Sequence, residues 1–226
     1  MDQPYIETTS PISHYEIVVL NHDTNYLVQR TKWEAYNYMD RLEGWCSKSK
    51  ASILIDLVCM LKPKTIVEIG VWGGKSLIPM AHAQRNFANG ITYGIDPWDN
   101  IESVDGMDGV NYEWWISIDH KKILTGLQNK IVEFGLHNNV MLVPTSSLLA
   151  PLIYDIDILH IDGNHSKKAS DIDVQKWVPQ VRRGGIVIFD DITWGTNGDA
   201  VKWLDDTCIR LAEFREDCAW AVWIKP

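Results

Sequence analysis

Two short apolar runs in the second half of the chain end in acidic residues, and they constrain the fold more than any other feature. These runs are Ile156–Asp162 and Gly185–Asp191. Continuous apolar runs of this length are typical of strands buried in a parallel sheet, and open α/β sheets bind ligands at the carboxyl ends of such strands. We therefore expect Asp162, Asp190 and Asp191 to meet at one crevice. Alternatively, each acid only caps the loop or helix that follows its strand.

Short β-branched runs alternate with longer helical stretches, which indicates βαβ units with right-handed crossovers. The predicted strands are Thr65–Gly70, Ile91–Asp96, Val140–Pro144, Ile156–Asp162 and Gly185–Asp190, and the predicted helices are Lys75–Phe87, Tyr112–Phe134, Ser166–Gln180 and Asp199–Ala212. A last strand at Cys218–Lys225 would form a closing hairpin with the stretch from Glu213. The sequence thus predicts a single-domain α/β fold. Its sheet would be Rossmann-like and doubly wound, with seven strands, mostly parallel, an antiparallel C-terminal hairpin and additional N-terminal helices.

Residues 1–62 precede the first sheet strand and contain two predicted helices, Lys32–Leu42 and Ser49–Leu61, separated by Gly44. We expect this segment to be an N-terminal helical extension of the ligand-binding domain in residues 63–226. Three roles are open for it. It could act as a lid, build the surface of a homodimer, or simply cover the sheet edge.

Composition and charge exclude several classes of partner. The formal net charge of −9 argues against a nucleic-acid backbone or an anionic membrane, because both require a basic face. The chain has no apolar run of about 18 residues, and its polar start lacks the features of a signal peptide. We therefore expect a cytoplasmic protein with a small-molecule partner. The four cysteines form no CxxC pair and are interpreted as reduced packing residues.

A glycine-rich turn, Gly70–Gly74, joins the first predicted strand to a predicted helix. Such a turn presents free backbone N–H groups and the positive end of a helix to an anionic or nucleotide-like ligand. The turn is one residue too short for a phosphate loop. It also does not match the dinucleotide-binding motif GxGxxG, because two residues separate Gly70 from Gly73 where that motif has one. Glu68 would also oppose a pyrophosphate. The pattern favours a nucleoside-type ligand with a cationic or zwitterionic part, and Asp96 is placed to accept hydrogen bonds from its ribose.

The pattern Glu-x-Gly-x-x-x-Gly-x-Ser, formed by Glu68, Gly70, Gly74 and Ser76, resembles the first motif of class I S-adenosylmethionine-dependent methyltransferases. It is most similar to the metal-dependent O-methyltransferases, which include the catechol-type enzymes and the sugar and macrolide enzymes. The resemblance covers about residues 64–195 and implies S-adenosylmethionine as cofactor, with its carboxylate on Ser76. It also implies a methyltransferase domain in residues 63–226. The cofactor-binding residues that it implies are Glu68, Gly70, Trp72, Gly74, Ser76, Asp96, Trp98, Thr145, Ser146 and Asp162.

The resemblance extends to the acidic strand ends. The family has an Asp after the fourth strand and an acidic pair after the fifth, which Asp162, Asp190 and Asp191 match. This implies that they hold Mg²⁺ or another divalent cation. The family's catalytic base often stands three residues after the first Asp, where this chain has His165, whereas Asn164 cannot act as a base. The implied reaction is methyl transfer to a hydroxyl of a small molecule such as a sugar, a natural product or a catechol. Alternatively, His165 only caps the helix that follows it.

Eleven tryptophans are many for a chain of this length. Those expected near the ligand edge are Trp72, Trp98, Trp114, Trp115 and Trp194. They either pack in the core or stack on a sugar or aromatic acceptor.

Two other functions stay open at this point. The first is a nucleoside-triphosphate hydrolase with a shortened phosphate loop at Lys75-Ser76 and Asp162 as its magnesium-binding acid. The second is a non-catalytic protein that keeps the S-adenosylmethionine fold as a binding or dimerisation module. The intact acids and His165 argue against the second, and stabilisation by ATP would favour the first.

Overall fold

The computed structural model describes residues 14–215 and 218–226, with side chains from residue 24 onward. Within these residues, seven strands form one sheet in the order β3-β2-β1-β4-β5-β7-β6. The first five pair in parallel, whereas β7 runs antiparallel to both β5 and β6. The strands are β1 (Thr65–Ile69), β2 (Ile91–Asp96), β3 (Val140–Pro144), β4 (Ile156–Ile161), β5 (Val181–Phe189), β6 (Ile209–Phe214) and β7 (Trp220–Ile224). The predicted fold class is confirmed.

Helices cover both faces of the sheet, because alternate strand residues point to opposite sides. On β1, Ile66 packs in an apolar cluster with α1, α2 and α3, whereas Val67 packs in a cluster with α6 and α7. A third cluster joins α3 to α5. The helices are α1 (His14–Met39), α2 (Lys48–Leu61), α3 (Leu77–Phe87), α4 (Gly109–Ile116), α5 (His120–Glu133), α6 (Lys167–Trp177) and α7 (Gly198–Thr207).

Three predicted helices were wrong in extent. The predicted helix Lys32–Leu42 corresponds only to the last part of α1, which begins at His14 and ends at Met39. The stretch predicted as one helix, Tyr112–Phe134, contains the end of α4 and all of α5. Asp119 begins the second helix by accepting a hydrogen bond from the Lys122 N–H at 3.0 Å. The predicted helix Asp199–Ala212 stops at Thr207, because the following residues pair with β7 as an edge strand. β5 begins at Val181 rather than at Gly185.

The N-terminal helices belong to the core of the fold. Leu54, Ile55 and Val58 of α2 are almost fully buried in the cluster that covers one face of the sheet. Residues 1–13 of the predicted extension lie outside the described residues, and the domain boundary after residue 62 stays a prediction. In the described part of the chain, no helix is long and apolar enough to cross a membrane.

Candidate active site

A cavity of about 1550 Å³ opens where β1, β2, β4 and β5 end. This is the edge at which open α/β sheets bind ligands, next to the point where the strand order reverses. The predicted site residues that line it are Gly70, Trp72, Ser76, Asp96, Ser146, Asp162, His165, Asp190 and Asp191. The other predicted site residues, Glu68, Gly74, Trp98 and Thr145, do not line it.

The glycine turn after β1 comes so close to the chain after β4 that only glycine fits at position 70. A Cβ on Gly70 would lie 2.0 Å from the carbonyl oxygen of Asp162, and its φ of +80° is in the left-handed region. Gly74 has a φ of +83°, and a Cβ there would lie 2.5 Å from Leu127 Cδ1. Trp72 itself adopts a φ of +51°, which is strained for a bulky side chain. The turn is therefore held by its surroundings, with Trp72 on the cavity wall.

Asp96 fastens this turn to the end of β2. One oxygen of its carboxylate accepts hydrogen bonds from the N–H groups of Val71 and Trp72 at 2.9 Å, and the other accepts one from Trp98 at 2.8 Å. Burial raises the pKa of Asp96, and these three hydrogen bonds oppose the rise. Asp96, which was predicted to bind the ribose, thus already accepts three hydrogen bonds from the backbone. A carboxylate has room for one further donor.

Trp98 lies behind the turn rather than in the cavity. Its side chain is buried in the third apolar cluster, and its Nε1–H donates to the Trp72 carbonyl oxygen at 3.0 Å. Trp98 therefore supports the turn by packing and by this hydrogen bond. Its buried indole ring does not line the cavity.

A buried polar network lies between the sheet and α2. The Lys50 ammonium donates to the Asp190 carboxylate, and its Nζ lies 3.2 Å from His160 Nε2. His160 in turn lies between Asp190 and Glu68, each at 3.3 Å. Glu68 is fully buried and accepts a hydrogen bond from the Ser76 hydroxyl. The network therefore contains two acidic and two basic side chains, which balances their charges inside the protein.

The network sets the pKa values of its members. Burial and the Lys50 ammonium lower the pKa of His160, but the carboxylates of Asp190 and Glu68 outweigh them and raise it to about 9. Burial alone would raise the pKa of Asp190, yet Lys50 and His160 hold it well below its usual range. The sequence predicted His160 as a core residue and gave no signal for Lys50.

His165 and two acids form a second polar group on the cavity lining. His165 Nε2 lies 2.8 Å from Asp191 and 4.0 Å from Asp162, and its Nδ1 lies 3.4 Å from the Asn197 amide. Burial opposes protonation of His165, but the hydrogen bond to Asp191 and the nearby acids raise its pKa. Burial and the Asp190 charge raise the pKa of Asp162 to about 7.

The donor atoms fit a divalent cation in one arrangement better than in another. Asp162, His165 and Asp191 place their ligand atoms within 4.8 Å of one another, and so do His160, Asp162 and Asp190. The second set has the Lys50 ammonium beside it, which would repel a further cation. The three acids predicted as ligands form no such set by themselves among the described residues. The set with His165, which offers two carboxylates and an imidazole, therefore suits a divalent ion.

Comparison with known proteins decides the family. Residues 67–192, more than half of the chain, match the family model described as a methyltransferase domain. The chain belongs to this methyltransferase family. The match confirms the resemblance predicted from the sequence. A comparison of this methyltransferase with curated proteins gives no significant match.

Solved structures show the same fold at low sequence identity. The O-methyltransferase NovP has a TM-score of 0.62 and 17% identity, over 91% of this chain and 98% of that chain. The O-methyltransferase from Bacillus cereus, solved with S-adenosylhomocysteine (SAH), has a TM-score of 0.59 and 14% identity over 88% and 91%. The O-methyltransferase TomG from Streptomyces achromogenes, solved with S-adenosylmethionine, has a TM-score of 0.58 and 16% identity over 88% and 90%.

Proposed function

We propose that this methyltransferase transfers a methyl group from S-adenosylmethionine to a hydroxyl group of a small molecule. The observation that carries this proposal is one cavity that contains both the glycine turn and the acidic edge with His165. The cofactors of the Bacillus cereus enzyme and of TomG support the choice of S-adenosylmethionine. The cavity volume also leaves room for a second molecule beside a cofactor.

The turn and the start of α3 form the cofactor half of the cavity. When bound, S-adenosylmethionine supplies a methyl group on a positively charged sulfur. The Asp96 carboxylate lies at the turn and lines the cavity, which favours a ligand with a cationic part and disfavours a polyphosphate. The N-terminus of α3, where Ser76 is the cap, offers backbone N–H groups to the ligand's carboxylate.

His165 and Asp191 form the acceptor half. A hydroxyl must lose its proton to become a good nucleophile, and the His165–Asp191 pair lies on the cavity wall with a raised His165 pKa. A divalent cation, when bound, would lower the pKa of the hydroxyl. Asp162 and Asp191 would hold that cation, with His165 either as third ligand or as the proton acceptor beside it. These two roles of His165 exclude each other at Nε2.

The experiment is a methyl-transfer assay with labelled S-adenosylmethionine and a panel of hydroxylated sugars and aromatic compounds. Protein treated with a chelator is compared with the same protein after Mg²⁺ is restored. Loss and recovery of transfer would establish that a divalent cation is needed, whereas full transfer without metal would leave His165 as a base that acts without one. His165→Gln is expected to abolish transfer in both cases while SAH binding is kept. Asp206→Asn, an exposed change on α7, is the control. Full activity of His165→Gln would refute the role of this residue.

The sequence left two alternative functions open, and the comparisons bear on only one of them. The hydrolase has no support, because the family match assigns a methyltransferase domain. A non-catalytic module that binds S-adenosylmethionine is tested by the assay itself. From the net charge of −9 we further infer an enzyme without a nucleic-acid partner, and the cytoplasmic location and the homodimer stay predictions.

A further inference from the structure

Lys50 brings a positive charge from the N-terminal part of the chain to the cavity. It lies in the first turn of α2, where its backbone N–H donates to the hydroxyl of the cap residue Ser47 at 3.2 Å. Lys50 is buried, and it lines the cavity. It also lies outside residues 67–192, which match the methyltransferase family model. Its role therefore has to be derived from its own contacts.

Side chains from three strand regions surround the Lys50 ammonium. Asp190, directly after β5, accepts its hydrogen bond, and Nε2 of His160 on β4 lies 3.2 Å from Nζ. The ring centroid of Trp220 on β7 lies 5.6 Å from Nζ, which is close enough for a cation–π interaction. All three partners are at most 5% exposed. The packed sheet therefore fixes the position of this charge.

The ammonium lies at a group of atoms that could otherwise bind a metal ion. His160, Asp162 and Asp190 each place one ligand atom within 4.8 Å of the others. Lys50 contacts two of these three residues. A divalent ion bound to all three would lie beside the ammonium, and like charges this close repel strongly where water is largely excluded. The ammonium and an ion therefore compete for the same position.

The neighbouring group of Asp162, His165 and Asp191 has no such competitor. In the part of the chain that the structure describes, neither Asp162 nor Asp191 forms an ion pair with a lysine or an arginine. Asp162 belongs to both groups, so the two possible ion positions share one carboxylate. Lys50 thus divides the acidic edge: Asp190 is paired with an ammonium, whereas Asp162 and Asp191 are left for an ion.

We propose that Lys50 is a positioning residue that takes the place of a second divalent ion. Its ammonium neutralises Asp190, keeps that carboxylate out of the coordination of a metal, and confines a divalent ion to Asp162 and Asp191. The family resemblance implied all three acids as ligands, and the inference departs from it at Asp190. It rests on the proposed function only for the ion at Asp162 and Asp191.

The test counts bound Mn²⁺, which replaces Mg²⁺ and is detected by electron paramagnetic resonance. Mn²⁺ is titrated into the metal-free protein, and the free ion is measured at each step. We expect one ion per chain for the wild type. Lys50→Met is expected to bind a second ion, or one ion at least about tenfold more tightly, because the repelling charge is gone and Asp190 is free. A count and an affinity that do not rise, or two ions in the wild type, would overturn the inference.

A second variant makes the test independent of how well Lys50→Met folds. Lys50→Met combined with Asp190→Asn removes both charges of the pair, which leaves no unpaired charge buried. This double variant is expected to bind one ion with the affinity of the wild type, whereas Asp191→Asn is expected to lose the ion. Loss of Mn²⁺ binding in the double variant would identify Asp190 as a ligand and would overturn the inference.

Lys48→Met is the matched control for the change of charge. Lys48 lies two residues earlier in α2, pairs with Asp40 and lies outside the cavity lining. Its replacement should leave the number of bound ions unchanged, and a gain equal to that of Lys50→Met would overturn the inference. If the wild type binds no Mn²⁺, the proposed role of an ion in methyl transfer fails. A gain of one ion in Lys50→Met would then still support the role of Lys50.

Discussion

The replacement Lys50→Met tests the buried network most severely. The Lys50 and Asp190 side chains are only 8% and 6% exposed, so water cannot take over the role of the missing ammonium. Methionine has a similar length and leaves little cavity, which isolates the electrostatic effect. Removing one partner of a buried ion pair costs about 3–5 kcal/mol, because the other charge stays buried without compensation. His160 remains 3.3 Å from Asp190 and limits the loss, so we expect a value of about 3 kcal/mol.

The assay is urea unfolding followed by tryptophan fluorescence, with the free energy of unfolding extrapolated to water. Asp190→Asn in the Lys50→Met background should recover part of the loss, since no unpaired charge is then buried. Lys202→Met is the matched control: this lysine forms an exposed ion pair with Asp206, and the midpoint of unfolding should not change. A loss below about 1 kcal/mol for Lys50→Met would refute the reasoning.

Two further predictions concern the fold. Burial and the Arg85 charge lower the pKa of His82 from 6.5 to about 4, so the unfolded chain binds a proton that the folded chain rejects. Stability should therefore fall as the pH drops from 6.5 towards 4, and His82→Gln should lose less over this interval in urea unfolding at each pH. Gly70→Ala should abolish folding or SAH binding, because its Cβ would meet the Asp162 carbonyl. Gly126→Ala, in open space on α5, should stabilise the protein by about 1 kcal/mol, and equal effects of the two changes would contradict this account.

The sheet could be predicted because its strands carry local signals. β2 and β3 begin and end as predicted, and the apolar runs of β4 and β5 identify the central strands. The edge strand β6 was missed in part, because residues 209–212 were predicted as the end of a helix and only pairing with β7 makes them a strand. The break between α4 and α5 was also missed, although Asp119 is a readable helix cap.

Site residues that directly follow a strand could be predicted from the sequence. Residues whose role depends on partners far away in the chain could not. Asp162, His165, Asp190 and Asp191 line one cavity as expected from strand order. Lys50 reads as a solvated lysine in the sequence, and its burial follows from Asp190, which is 140 positions away. The ribose role of Asp96 stays a prediction, whereas the hydrogen bonds that its carboxylate accepts from the turn about 25 positions earlier were not predicted.

The central claim is that this cavity binds S-adenosylmethionine, and calorimetric titration of SAH tests it most directly. The purified protein is titrated in magnesium buffer, with ATP titrated in parallel. We expect micromolar binding of SAH and no binding of ATP, because the Asp96 carboxylate lies at the turn. Binding of ATP without binding of SAH would contradict it.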